Sequence, residues 1–96
     1  MAEPLEIQTE PTPNPNSMKF SLNREVTSGR SQTFNSPDEA LMSPLAQRLF
    51  QIEGVRTLFF LKEFISVGRT ANADWDALIP RVEAAIRAHY EAQGSF

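Results

Sequence analysis

The sequence predicts an α+β two-layer sandwich, in which an antiparallel sheet of about four strands carries two main helices on one face. Residues 17–22 alternate apolar and polar side chains, which is typical of a half-buried strand. Residues 55–67 form an apolar run interrupted by Lys62 and Glu63, which indicates a β-hairpin. Residues 75–90 carry an apolar stripe at helical spacing, which predicts a helix packed on the sheet.

The first two predicted strands flank a proline-rich segment. Residues 5–9 alternate with period two, and residues 10–16 carry proline at every second position from Pro11 to Pro15. Each proline disfavours helical backbone in the residue before it, so this segment is predicted to be a rigid loop. The inward positions of the two strands are Leu5, Ile7, Met18, Phe20 and Leu22.

Residues 23–34 lack the clear apolar–polar alternation of the two strands before them. Residues 23–29 are polar, contain a glycine and are typical of a connector. Residues 30–34 form either a further short strand with Phe34 facing inward or a loop, and the sequence leaves both open.

Two serine-proline pairs mark helix starts. Ser36, Pro37 and Glu39 match a capping box, which predicts a short helical turn ending at Met42. The Ser43-Pro44 pair repeats the pattern and opens the first main helix.

The first main helix is predicted from the spacing of its apolar residues. Leu45, Leu49 and Ile52 recur at i, i+4 and i+7, with Phe50 beside them. Gly54 follows and is expected to cap the C-terminus of the helix.

The register of the predicted hairpin is not fixed by its pattern, because both of its faces are partly apolar. We choose Leu58, Ile65 and Val67 as core residues and add Phe60. The aromatic side chains of Phe59, Phe60 and Phe64 are interpreted mainly as core, with one hairpin face left open as a surface for a partner.

The last helix is expected to open at Asn72 or Asp74, either of which can cap it. Trp75 is interpreted as a core anchor. Pro80 removes one backbone donor, so the helix should be kinked at its start or begin close to this residue. The stripe consists of Trp75, Leu78, Ile79, Val82, Ile86 and Tyr90.

Composition excludes several classes of function. The 96 residues, interpreted as one domain, carry a net charge of −3, which argues against a nucleic-acid or anionic-membrane surface. They contain no cysteine, which removes disulfides, thiolate metal sites and nucleophilic thiols. Residues 1–8 lack a basic start followed by an apolar run, and no apolar stretch approaches the roughly 20 residues of a membrane span. We therefore expect a cytoplasmic monomer.

The sequence points to no catalytic, cofactor-binding or metal-binding residue. His89 is the only histidine and is interpreted as an ordinary surface or stripe-edge residue. The carboxylate pairs Asp38/Glu39 and Asp74/Asp76 lie at predicted helix starts, where the helix dipole favours them. The four glycines are isolated, so no phosphate-binding loop can form.

The segment Thr12-Pro13-Asn14-Pro15-Asn16-Ser17 allows two interpretations. It is a stiff connector with Asx turns from Asn14 and Asn16, or its fixed shape serves a partner.

Several segments together resemble the N-terminal domain of the Nfu family of iron–sulfur cluster scaffold proteins, from about Ile7 to Tyr90. These segments are Thr12-Pro13-Asn14-Pro15-Asn16-Ser17-Met18-Lys19-Phe20, Ser43-Pro44-Leu45-Ala46, Leu49-Phe50, Gly54-Val55, Phe64-Ile65-Ser66-Val67 and Asp74-Trp75. The resemblance implies a two-layer α+β fold and a separate module whose Cys-x-x-Cys motif carries the cluster.

A sequence without cysteine departs from that pattern, so the resemblance carries over only a role in binding partners. It implies a non-catalytic accessory that acts in trans with iron–sulfur assembly or client proteins. The rigid loop and the cationic side chains suggest Asn14, Asn16, Lys19, Arg56 and Arg69 as the partner-binding residues.

Two other functions stay open at this level. The chain could be a general adaptor or regulatory module unrelated to clusters, which the identity of its partners would decide. A small enzyme is a third reading, which the missing nucleophile–base pair disfavours.

Overall fold

The computed structural model describes residues 5–27, 30–41 and 43–94, the last three without their side chains. Within these ranges the chain forms five strands, two α-helices and one 3-10 helix. They are β1 (Ile7–Pro11), β2 (Ser17–Leu22), β3 (Gln32–Phe34), the 3-10 helix (Pro37–Ala40), α1 (Pro44–Phe50), β4 (Val55–Leu61), β5 (Phe64–Arg69) and α2 (Trp75–Gly94).

The described strands form one antiparallel sheet in the order β1-β2-β5-β4-β3. The predicted α+β class is confirmed, with one strand more than expected. The addition is β3, a three-residue edge strand in which Phe34 lies opposite Leu58 and is buried. The segment that the sequence left open is therefore a strand.

Both helices pack on the same face of the sheet. The helix residues Leu45, Leu49, Leu78, Val82 and Ile86 belong to one buried cluster with the sheet residues Phe20, Leu22, Phe34, Leu58, Phe60, Ile65 and Val67. The register places Phe20, Ile65 and Phe60 in one row across the sheet. The core choices Leu58, Phe60, Ile65 and Val67 are confirmed. The interpretation of Phe59 and Phe64 as mainly core is wrong, since both are only half-buried and lie on the opposite face of the sheet, where no helix packs.

The edge strand β1 begins two residues later than predicted and extends to Pro11. The backbone N–H of Leu22 donates to Glu63 O, so every second residue of β2 from Met18 turns its backbone groups towards β5. Pro11 lies opposite Met18, and because the backbone groups of Met18 point towards β5, this pair exchanges no hydrogen bonds. The backbone nitrogen of Pro11 therefore points away from β2. A proline is tolerated at this position because its missing N–H would have had no ladder partner.

The two predicted serine caps behave differently. The Ser36 side chain makes no capping hydrogen bond, and Glu39 Oε1 accepts from the Asn35 N–H at 3.0 Å instead. The reciprocal capping box is therefore wrong, since the carboxylate satisfies a donor one residue earlier and the turn is a 3-10 helix. Its predicted end, Met42, lies outside the described residues. Ser43 Oγ accepts from the Ala46 N–H at 3.3 Å, which confirms the cap of α1.

Gly54 is not the cap of α1. The helix ends at Phe50 and Gln51 caps it, while Gly54 lies at φ +105° in the turn that leads into β4. Glycine is needed here because a side chain would meet the Cβ of Ala73 at 3.0 Å and because few other residues adopt this φ.

The hairpin between β4 and β5 turns at Lys62 and Glu63, as predicted. Lys62 adopts φ +52°, and its N–H donates to the buried Thr27 hydroxyl at 3.2 Å. Its carbonyl accepts from the Val26 N–H at 2.6 Å, so the segment after β2 holds the hairpin tip.

Helix α2 is capped by Asp74, whose Oδ1 accepts from the Asp76 N–H at 3.2 Å. The helix continues through the exposed Pro80, so the alternative that it begins close to Pro80 is wrong. Burial of Leu78, Val82 and Ile86 outweighs the one lost backbone bond. No helix in the described ranges is long and apolar enough to cross a membrane.

Candidate partner-binding site

The Pro–Asn loop, residues 12–16, is ordered by its own hydrogen bonds. Asn14 Oδ1 accepts from the Asn16 N–H at 2.9 Å, which forms an Asx turn. The carbonyl of Asn14 accepts from the Thr12 hydroxyl at 2.9 Å and from the Ser17 N–H at 3.0 Å. The turn predicted at Asn14 is present, and Asn14 is therefore a residue that holds the loop together.

Asn16 has a different role, because its side chain makes no turn. Its backbone is bonded on both sides, but its side-chain amide forms no hydrogen bond with any described residue. The Asx turn predicted at this residue is therefore wrong. Asn16, Pro13 and Pro15 are all exposed. The loop thus presents one free amide directly after two exposed prolines.

A clamp formed by Arg69 and Trp75 fastens the Pro–Asn loop to the start of α2. The Trp75 Nε1–H donates to Pro15 O at 3.0 Å, and the Arg69 N–H donates to Asn16 O at 2.9 Å. The Arg69 guanidinium lies 5.7 Å from the centroid of the Trp75 ring. Trp75 also packs against the core, as predicted. Sequence reasoning missed its second role, although an indole N–H at a helix start needs an acceptor.

The guanidinium of Arg69 is largely committed inside the protein. Its Nη1 donates to Ala73 O at 2.6 Å, and its Nε is buried without a partner among the described residues. An unpaired buried donor costs about 1–3 kcal/mol, which the cation–π contact with Trp75 and the bond to Ala73 must offset. Arg69 therefore acts first as a residue that positions the loop.

Lys19 lies on the opposite side of the sheet from the clamp. Its Nζ sits 4.7 Å from the centroid of the Phe64 ring, on the face that no helix covers. Arg56 is exposed at the irregular start of β4, where the register with β5 shifts between Val55 and Thr57.

The structure thus brings together only part of the predicted site. Asn14, Asn16 and Arg69 meet at the end of the sheet where β2 begins and β5 ends, and Arg56 lies at the same end. Lys19 belongs to a different surface.

His89 lies at the edge of the apolar stripe and not on the surface. Its side chain is 9% exposed, and its ring meets that of Tyr90 edge to face at 5.1 Å. Burial, and secondarily the Arg48 guanidinium, lower the pKa of His89 from its ordinary 6.5. The part of the chain that the structure describes holds no group of three or more histidine, cysteine or acidic residues placed to bind a metal.

The lowered pKa of His89 predicts a pH dependence of stability. The unfolded chain takes up a proton near pH 6.5, whereas folded His89 resists it, so the free energy of unfolding should fall as pH drops from 7.5 to 6. A His89→Gln variant should lose this decrease. Urea denaturation at both pH values measures it, and an equal decrease in the two proteins would contradict the assignment to His89.

Comparison with known proteins shows which family the chain is similar to. The profile described as scaffold protein Nfu/NifU N terminal matches residues 7–93. The human protein named NFU1 iron-sulfur cluster scaffold homolog, mitochondrial, is 46% identical over 81 residues, which are 83% of this chain and 32% of that protein. The Drosophila grimshawi protein of the same name is 44% identical, over 83% of this chain and 27% of its own length. The chain thus spans less than a third of these two relatives.

Solved structures share the fold. The crystal structure of SAV1430 from Staphylococcus aureus has a TM-score of 0.74 at 30% identity, and the match covers 84% of this chain and 98% of that one. The solution structure of a NifU-like protein from Saccharomyces cerevisiae has a TM-score of 0.73 at 27% identity, over 88% and 76% of the two chains.

Proposed function

This chain belongs to the family of Nfu/NifU scaffold N-terminal domains, and from that premise we propose that it is a non-catalytic protein-interaction domain in iron–sulfur cluster assembly or transfer. Iron–sulfur clusters are held mainly by cysteine thiolates, and these 96 residues contain none. The proposed contribution is therefore the binding of proteins that carry, build or receive a cluster, in trans with a chain that supplies the ligands.

The observation that carries the proposal is the clamped Pro–Asn loop. The loop is ordered internally by Asn14 and externally by Trp75 and Arg69, yet the Asn16 amide stays exposed and unbonded among the described residues. A loop that is already ordered loses little entropy when it binds. A free amide on such a loop can donate to and accept from a partner backbone.

An affinity pull-down from native extract, read by mass spectrometry, tests the proposal. We expect the wild-type chain to retain iron–sulfur assembly or client proteins, and Asn16→Ala to retain them roughly five- to tenfold less. That reduction corresponds to the loss of one or two hydrogen bonds at an interface. Asn14 is not substituted, because its side chain holds the loop.

The matched control is Asn35→Ala. Asn35 is also exposed, and it follows β3 at the opposite edge of the sheet. The Asn35→Ala variant should retain the same proteins as the wild type. Recovery of only unrelated proteins would contradict the iron–sulfur role and favour the general adaptor, and equal recovery by Asn16→Ala and Asn35→Ala would contradict the loop as the site.

A monomeric state, a cytoplasmic location and the absence of nucleic-acid or membrane partners complete the proposal. Both relatives described above are named mitochondrial, so the alternative location to test is the mitochondrion. Cell fractionation decides it.

A further inference from the structure

The face of the sheet turned away from both helices, which we call the open face, has a distinct pattern of side chains. The strand register orders it in rows. The row nearest the hairpin tip contains Gln8, Ser21, Phe64 and Leu61, and the next row contains Glu10, Lys19, Ser66, Phe59 and Thr33. Most of these residues are polar, as expected for the solvent side of an antiparallel sheet.

Three large apolar side chains depart from that expectation. Phe59 and Phe64 lie with ring centroids 6.1 Å apart, and Leu61 is paired with Phe64 across the hairpin. All three are only half-buried, and no helix covers them. Isolated apolar residues on a surface need no explanation, but a contiguous cluster on a sheet face marks an interaction surface.

A cation borders this cluster. The Lys19 Nζ lies 4.7 Å from the Phe64 centroid, and within the described ranges it forms no ion pair, although Glu10 is its neighbour across the strands. Because the aromatic ring holds the ammonium beside the apolar cluster, the surface combines apolar contact with one available positive charge.

We propose that the open face docks an amphipathic helix of a partner protein, whose apolar side chains cover Phe59, Leu61 and Phe64 and whose carboxylate pairs with Lys19. The inference deepens the proposed function, since it rests on the claim that the chain binds proteins. It assigns a second surface, separate from the Pro–Asn loop, and the chemistry of what binds there.

The geometry favours a helix over an extended segment. The strands beneath the cluster have their backbone groups paired within the sheet, so the open face offers only side chains. A helix satisfies its own backbone, whereas an extended segment would leave polar groups unpaired above aromatic rings.

Photo-crosslinking tests the inference. The probe is p-benzoylphenylalanine placed at position 59, and the control is the same probe at position 84, which is exposed on α2. After irradiation in native extract, the crosslinked peptides are sequenced. We expect adducts at position 59 but not at 84, on segments that form helices with an apolar stripe and a carboxylate beside it.

Charge variants make the test specific. Lys19→Gln should lower the adduct yield at position 59 roughly three- to fivefold, and Lys19→Glu should lower it further through repulsion. Adducts on extended or basic segments, equal yields at positions 59 and 84, no adduct at 59, or yields insensitive to both Lys19 variants would each overturn the inference.

The two proposals fail separately. If the Asn16→Ala variant loses iron–sulfur partners while position 59 gives no adduct, the proposed function stands and the open-face inference falls. If position 59 captures acidic amphipathic helices only from proteins unrelated to clusters, the open-face inference stands and the iron–sulfur role falls.

Discussion

Phe60→Ala is expected to lower the free energy of unfolding by about 3–5 kcal/mol, the range observed when a buried phenylalanine is truncated. Phe60 is 1% exposed, and its ring meets that of Phe34 edge to face at 5.2 Å. The substitution leaves a cavity and removes this contact. Since a domain of this size is stabilised by only about 5–15 kcal/mol, this loss is a large part of its stability and the urea midpoint should fall clearly.

Phe59→Ala is the matched control, one residue away on the other side of the sheet. Phe59 is half-buried on the open face, so its truncation should cost only about 1 kcal/mol. Similar losses for the two variants would contradict the description of one core face and one open face.

Gly54→Ala is expected to cost about 2 kcal/mol. At φ +105° a Cβ is strained, and it would stand 3.0 Å from the Cβ of Ala73. Relief by backbone movement would disturb the bond from the Thr70 N–H to Gly54 O, which ties the start of β4 to the loop before α2. Chemical denaturation measures the loss.

Lys62→Gly is the corresponding control at the other positive φ. At φ +52° the lysine is mildly strained, so glycine should leave the protein unchanged or up to about 1 kcal/mol more stable. A Gly54→Ala protein as stable as the wild type, or a Lys62→Gly protein clearly less stable, would contradict the roles given to these turns.

The sequence was informative wherever one face of an element is buried. Alternation in residues 17–22 identified β2, and the hairpin was located with its turn at Lys62 and Glu63. The choice of Leu58 and Phe60 as inward residues was correct, although the neighbouring Phe59 and Leu61 are also apolar. Phe59 and Leu61 belong to the open face. Because both faces of the hairpin carry apolar side chains, the sequence pattern alone did not fix its register.

Local capping patterns were less reliable, because residue types and spacing do not determine which backbone group a side chain bonds to or which element a glycine ends. Ser36 and Glu39 have the right types and spacing for a capping box, but the carboxylate bonds to the Asn35 N–H. Gly54 has the conformation expected of a helix cap, but the neighbouring Ala73 and Leu78 fix it in a turn leading into β4.

The candidate site could be anticipated only in part for a similar reason. Three alternating prolines and two asparagines predict a rigid loop, and Asn14 forms the expected turn. The assignment of Trp75 and Arg69 to hold that loop depends on contacts between residues 60 and 53 positions apart, respectively. Alternation in β2 puts Lys19 on the outward face of the strand, but its contact with Phe64 depends on how β2 pairs with β5.

The most direct test of the central claim is the affinity of the purified chain for the first iron–sulfur protein that the pull-down identifies. Isothermal titration should give a Kd about tenfold weaker for Asn16→Ala than for the wild type, and a Kd within twofold of the wild type for Asn35→Ala. Equal affinities for all three proteins would contradict the account, because the Pro–Asn loop would then be only a connector between β1 and β2.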